Sequence, residues 1–235
     1  MKLNTNSNTY ILAYASLLVI AVAFVLAYFS QALKPIQDKN VALDKKKQII
    51  AALNIRDVND NQVEEYYNKL VEADEIINEK NEVLSAGKPG GENDGFKLNG
   101  GDFKAGKHAL FVCNVDGQKI YVMPGYGMGL WGGISGYIAI NADKETIYGV
   151  YFNHEGETAG LGAEIKDNQK WQQQFCGKHL FADGNQDAVA LSVCKKVDNP
   201  ATQVDGVSGA TLTCDGVTRM IHEGLGKYLD FLKDK

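Results

Sequence analysis

An α+β fold behind a membrane-length helix is the architecture this sequence predicts, on three observations. An uncharged apolar run stands near the N-terminus, a block of strand-like segments fills the middle, and helical spacing returns at the C-terminal end. Strands gathered in one block, with helices before and after, favour an antiparallel sheet with flanking helices over a βαβ array.

The apolar run is YILAYASLLVIAVAFVLAYF, Tyr10 to Phe29. About 20 apolar residues cross the hydrocarbon core of a bilayer as a helix. Tyr10, Tyr28 and Phe29 stand where interfacial aromatics occur. Ser30-Gln31-Ala32 has the small-x-small look of a signal-peptidase site, but the run is longer than the roughly 7–15 residues of a signal peptide's apolar region. Residues 1–33 therefore read as a retained single-pass anchor in membrane lipid. Only Lys2 and the α-amine precede the span, whereas Lys34, Lys39 and Lys45 to Lys47 follow it. By charge alone, the C-terminal side belongs in the cytoplasm.

Residues 34–84 read as a helical segment that packs on the domain or leads to it. Gln37 to Leu53 carries Val41, Ile49, Ile50 and Leu53. A second helical pattern follows the cap candidate Asp60, with Val63, Tyr66, Leu70 and Ile77 near 3- and 4-residue spacing. Residues 85–107, SAGKPGGENDGFKLNGGDFKAGK, hold seven Gly and one Pro and read as a linker or loop.

The main domain is 108–235. Ala109 to Asn114 and Lys119 to Met123 flank VDGQ, whose Asp-Gly centre is a hairpin signal. Ser135 to Ile140 and Thr146 to Phe152 flank NADKE in the same way, and Ala188 to Lys195 is a further strand. From Val217 to Leu232, Val217, Met220, Ile221, Leu225, Tyr228, Leu229 and Leu232 fall on one helical face.

Bulk properties remove several function classes. The net charge of −5 over 235 residues leaves no basic footprint for nucleic acid. Cys113, Cys176, Cys194 and Cys214 form no CxxC pair, which argues against zinc and iron–sulfur sites. Two disulfides are possible by count, and buried free thiols are the simpler reading. GMGLWG, Gly127 to Gly132, matches G-x-G-x-x-G, but a strand-like segment follows it where a dinucleotide site needs a helix. That run reads as backbone turning tightly around Trp131 or approaching a flat ligand, and Trp131 is expected to pack as scaffold. In HEGETAGLGAEI, His154 to Ile165, the residues His154, Glu155 and Glu157 are joined by no second cluster of ligands, which argues against a metal site. Thr158 is a cap candidate for the helical stretch that follows.

The densest chemistry lies in VDGVSGATLTCDGV, Val204 to Val217. Ser208, Thr211 and Thr213 crowd with small residues just before the last helix. The first-turn amides of a helix are unsatisfied and partly positive, so a phosphate is well placed there. The blander reading is capping by Ser208 or Thr213. There is no G-x-S-x-G elbow, which argues against a serine hydrolase.

DGVSGAT, Asp205 to Thr211, resembles the flavinylation motif Asp-x-x-(Ser/Thr)-Gly-Ala-Thr of the covalent FMN-binding domain family. GLWGGISGYIAI and DKETIYGVYFNHEGETAGLG resemble the same domains. Ala159 stands where the family's Glu-Thr-Pro-Gly-Leu-Gly segment has Pro. The anchor with LDKKKQIIAALNI resembles the C subunits of Na+-translocating NADH:quinone oxidoreductases. This resemblance implies FMN joined through its phosphate to the hydroxyl of Thr211, with Asp205, Ser208, Gly209 and Ala210 shaping the attachment loop. It also places Glu157, Thr158, Leu161 and Gly162 beside the flavin ring.

The resemblance further implies an electron-transfer subunit of a cell inner-membrane complex, not a complete enzyme. The whole complex would oxidise NADH, reduce quinone and pump Na+. Its partners would be the other membrane, flavin and iron–sulfur subunits, together with a flavin transferase. The domain would lie on the periplasmic side, against the charge count. The apolar span has no row of carboxylates to bind Na+, so the ion path belongs to other subunits. Two alternatives share the motif: the homologous flavin subunit of a ferredoxin:NAD oxidoreductase complex, and a stand-alone membrane-anchored flavoprotein reductase. A cofactor-free structural module is the alternative from a different class.

Overall fold

A computed structural model describes residues 7–183 and 185–234. The first element, α1 (Asn8–Ala52), is one 45-residue helix that contains the whole apolar run. Ser7 opens it by accepting the Tyr10 amide at 3.3 Å, the usual N-cap arrangement. None of its apolar window is buried, and by length and composition it is suited to crossing a membrane. The chain divides into two units between Asp44 and Lys45.

In the second unit, the end of α1 buries Ile49 and Ile50, and Leu53, just past the helix, is buried with them. Three lysines that the charge count assigned to the membrane flank serve the domain here. Lys45 Nζ donates to the carbonyls of Phe96 and Leu98. Lys46 is 4% exposed and pairs with Glu92 at 2.6 Å and Glu64 at 3.4 Å. Lys47 pairs with Asp60. Burial pushes the Lys45 ammonium down to about 8.

Helix α2 (Val63–Leu70) stops where the expected helix would continue, and β1 (Val71–Ile77) follows at once. The helical reading of Ile77 fails for a physical reason. A bulge between Val71 and Ala73 disturbs the strand's two-residue alternation, so its buried positions are Val71, Asp74 and Ile77. Their three-residue spacing imitates a helix.

The glycine-rich stretch after β2 (Val83–Ser85) is packed rather than loose. It holds a 3₁₀ turn at Gly95–Lys97 and α3 (Gly100–Lys104). Its anchor is Asp74, fully buried, whose carboxylate accepts the amides of Lys88 at 3.1 Å, Asp94 at 3.1 Å and Phe96 at 3.3 Å. Gly87 takes φ +62° with its Cα side against the Asp74 backbone, where a Cβ would come within 2.6 Å.

Four longer strands complete the sheet: β3 (His108–Val115), β4 (Gln118–Met128), β5 (Gly133–Asn141) and β6 (Ile147–His154). The order is β2-β1-β3-β4-β5-β6, and every neighbouring pair is antiparallel. At the expected β3–β4 hairpin, Asp116 (φ +52°) and Gly117 (φ +85°) are both left-handed, as a type I′ turn demands. Both sheet faces are covered. Leu110, Met123, Ile138 and Ile140 join the cluster beneath α6 (Thr211–Gly226). Their neighbours Phe111, Val122, Tyr137 and Ala139 are buried outside that cluster. The outer edge of β6 is closed by side chains: Asn54 and Arg56 donate to the Tyr148 and Val150 carbonyls, each at 2.7 Å, which quiets a free strand edge.

Two short helices, α4 (Glu164–Asp167) and α5 (Gln169–Gln173), follow β6. The strand expected over 188–195 is only β7 (Ser192–Cys194), paired in parallel with β8 (Gln203–Asp205). Helix α7 (Leu229–Lys233) ends the described chain. All four cysteines are free. Cys113 and Cys214 are buried, but Cys194 is half-buried and Cys176 exposed, so buried thiols account for only two.

Candidate functional site

Strand β8 ends at Asp205, and α6 begins at Thr211, six residues earlier than its apolar spacing indicates. The connection is tightly held. Trp171 Nε1 donates to the Asp205 carbonyl at 2.8 Å, and the Gly206 amide to the Cys194 carbonyl at 2.9 Å. The Ala210 amide closes a turn on the Val207 carbonyl at 3.1 Å. Gly209 sits in that turn at φ +76°, where a Cβ would come within 2.8 Å of Leu161 Cδ2. The left-handed φ is what favours glycine here, since the exposed Leu161 side chain can move aside.

The N-cap of α6 is Ala210, and no side chain caps the helix. The expected caps from Ser208 and Thr213 are therefore absent: α6 starts two residues too late for Ser208 to serve, and early enough to take Thr213 into its first turn. An uncapped N-terminus on a 16-residue helix leaves amide donors and the positive end of the dipole turned to solvent.

The threonines differ sharply. Thr211 is exposed at the first helical position. Thr213 is 1% exposed, and its Oγ1 donates to Glu157 Oε2 at 2.6 Å. Glu157, 7% exposed, also accepts the Trp131 amide at 2.9 Å through Oε1. Burial alone would push this carboxyl up. The Thr213 hydroxyl and the amides of Trp131, Gly132 and Leu130 together outweigh burial and hold it below the usual carboxylate range. A carboxylate accepting several such donors is stabilised in its charged form.

Glu157 thereby joins three segments: the β4–β5 hairpin tip, the loop after β6, and the first turn of α6. Small residues make room for it. At Gly129 a Cβ would lie 3.0 Å from Glu157 Cδ, and at Gly162 one would lie 2.7 Å from Thr213 Oγ1. The hairpin tip is the former G-x-G-x-x-G candidate. Gly127 and Met128 end β4, Gly133 starts β5, and the Gly129 amide closes the turn on the Gly132 carbonyl at 2.9 Å.

A cleft of about 370 Å³ opens above this clasp, lined by Leu130, Trp131, Glu157, Thr158, Leu161, Gly162 and the segment 209–213. Its rim is apolar and solvent-facing: Trp131 is 70% exposed and Leu212 58%. Trp131 is thus no scaffold residue. Thr158 is exposed and does not cap α4, whose N-cap is Ala163. Its carbonyl instead accepts the Leu161 and Ala163 amides.

Of the residues singled out in the sequence, this cleft gathers Glu157, Thr158, Leu161, Gly162, Gly209, Ala210 and Thr211. Asp205 and Ser208 instead line a neighbouring cleft of about 300 Å³, which shares Gly209 and Thr211 with the first. Thr211 stands between the two. Leu130, Leu212 and the inward Thr213 were missed as site residues. Thr213 stands four residues before Val217, in phase with the apolar face, so the helical period marks it as inward once α6 is known to start at Thr211. Among the described residues no cluster of three or more His, Cys, Asp or Glu could hold a metal ion.

The comparisons with known proteins agree with this geometry. The family described as "FMN-binding domain" matches residues 129–226, which contain the hairpin tip, the Glu157 loop and α6. By this match the chain carries an FMN-binding domain, which follows a helix of membrane-spanning length. It is 32% identical to the C subunit of the Na(+)-translocating NADH-quinone reductase of Haemophilus ducreyi, over 97% of this chain and 95% of that one. The crystal structure of the corresponding protein from Parabacteroides distasonis superposes with a TM-score of 0.78 at 36% identity, covering 86% of this chain and 98% of that one. NqrC from Shewanella oneidensis gives 0.65 at 27% identity, over 83% and 100%. The chain belongs to the family of Na(+)-translocating NADH-quinone reductase C subunits.

Proposed function

We propose that this chain is an electron-transfer subunit with FMN esterified through its phosphate to Thr211. The observation that carries this reading is the contrast at the start of α6. One threonine hydroxyl is exposed beside uncapped helix amides, and its rival is buried against Glu157. The Glu157 cleft fits a flat aromatic ring with a phosphate at one end. Leu130, Trp131, Leu161 and Leu212 offer apolar area.

When bound, FMN supplies one- and two-electron redox chemistry. The first-turn amides of α6 would hold the phosphate. The apolar rim would exclude water, and the Glu157 clasp would fix the hairpin tip relative to α6. Asp205 and Ser208, in the neighbouring cleft, would present the attachment loop to a flavin transferase.

The chain would pass electrons between flavin and iron–sulfur partners in a membrane complex that oxidises NADH, reduces quinone and pumps Na+. The anchor would cross the cell inner membrane once, with the domain on the periplasmic side. Occupation of Lys45, Lys46 and Lys47 inside the domain supports that side, since it removes much of the charge bias against it.

The test is co-expression with the transferase and fluorescence of the band on a denaturing gel, with peptide mass mapping. Thr211→Ala is expected to lose the flavin and Thr213→Val to keep it. Flavin retained in Thr211→Ala, or mapped to Thr213 or Ser208 in the wild type, refutes the assignment.

A further inference from the structure

The Glu157 carboxylate is unusual in what holds it. Its donors are the Thr213 hydroxyl and the hairpin-tip amides, all of them dipoles. Among the described residues no ion pair reaches it. The adjacent His154 meets Glu157 through the backbone, its Nδ1 accepting the Glu157 amide at 3.2 Å. Dipoles stabilise an anion without cancelling its charge. A net negative charge therefore stands in the floor of the cleft, on a residue only 7% exposed. In such surroundings a charge acts on its neighbours more strongly than it would in water.

We propose that Glu157 sets the reduction potential of the flavin held in this cleft, its fixed negative charge making that flavin a stronger electron donor. The inference rests on the assignment of the cleft to FMN. Each electron accepted adds one negative charge to the flavin until a proton follows from solvent. The carboxylate opposes the added charge. Being ionised, it does not supply the proton. The clasp fixes the carboxylate through donors on two other segments, so the charge cannot swing away when the flavin is reduced.

The experiment uses the full-length chain co-expressed with the flavin transferase, purified in detergent and titrated with dithionite in the presence of redox mediators. Covalent flavin in the wild type is checked first. Its absence would strike the assignment of the cleft, separately from the role of Glu157. Glu157→Gln is expected to shift the oxidised–reduced equilibrium at least tenfold toward the reduced form, a rise of about 30 mV for a two-electron couple. Glu157→Asp, which keeps the charge, is expected to restore most of the wild-type value. A Glu157→Gln potential equal to wild type, or a Glu157→Asp potential as high as that of Glu157→Gln, would overturn the proposal. If Glu157→Gln does not fold, Thr213→Val decides. It removes a donor but leaves the charge, so its potential must stay near wild type, and a tenfold shift toward the reduced form would refute a role for the charge.

Discussion

Replacing Thr213 by Val separates the fold of the site from its chemistry. The side chain is 1% exposed, and its hydroxyl donates to Glu157 at 2.6 Å. Valine keeps the branched shape, so no cavity opens. What is lost is one hydrogen bond to a charged acceptor, worth about 1.5–3 kcal/mol. The Trp131 amide still holds Glu157, which keeps the net loss at about 2 kcal/mol on that scale. For a chain of this size each kcal/mol lowers Tm by roughly 2–4 °C, so a fall of about 4–8 °C is expected. The assay is thermal unfolding of the full chain in detergent, followed by near-ultraviolet circular dichroism. The same samples are read for flavin fluorescence on a denaturing gel. Thr211→Val should do the reverse: an exposed side chain costs within about 0.5 kcal/mol, but the fluorescence should vanish. A Thr213→Val protein as stable as wild type would show that the clasp does not stabilise the fold. A destabilised Thr211→Val with its fluorescence intact would reverse the roles of the two threonines.

Four further outcomes follow from the structure. Asp74→Asn places an amide against three backbone N–H donors, and is expected to cost about 2 kcal/mol or more; limited proteolysis should then cut the 87–96 segment in the variant and not in the wild type. His108 is fully buried with neither ring nitrogen hydrogen-bonded; burial pushes its pKa down, against the pull of Glu79. Because the folded value is depressed, the unfolded chain binds the proton first, so stability should fall as pH drops below about 6.5; His108→Phe should flatten that limb of the Tm–pH curve, and an unchanged slope would contradict the reading. Trp131→Ala should leave Tm within about 2 °C, as expected for an exposed side chain, while shifting the flavin absorption spectrum. A C-terminal alkaline phosphatase fusion should be active, and activity of a cytoplasmic reporter alone would place the domain on the other side.

Much of the fold was legible because its signals are local. The uncharged run to Phe29 fixes a membrane-length helix by length and polarity alone. Asp116-Gly117 specifies its hairpin because few other pairs accept two left-handed residues in succession. The register of DGVSGAT pointed to Thr211 through family resemblance, and residue chemistry by itself left Thr211 and Thr213 equal.

Only the tertiary structure decided what depends on distant partners. Strand β1 was hidden because a bulge gives it helical spacing. The glycine-rich linker became a packed loop because Asp74, buried on that strand, gathers its amides. Lys45 to Lys47 look like membrane-flanking charges in sequence, yet their acceptors lie 13 to 53 residues away in the domain. The two threonines part company because α6 starts at Thr211 and turns its third residue inward, toward a carboxylate 56 residues earlier in the chain. Local sequence sets helix, turn and apolar span through short-range sterics and polarity. Which hydroxyl is free is set by a contact between segments that only folding brings together.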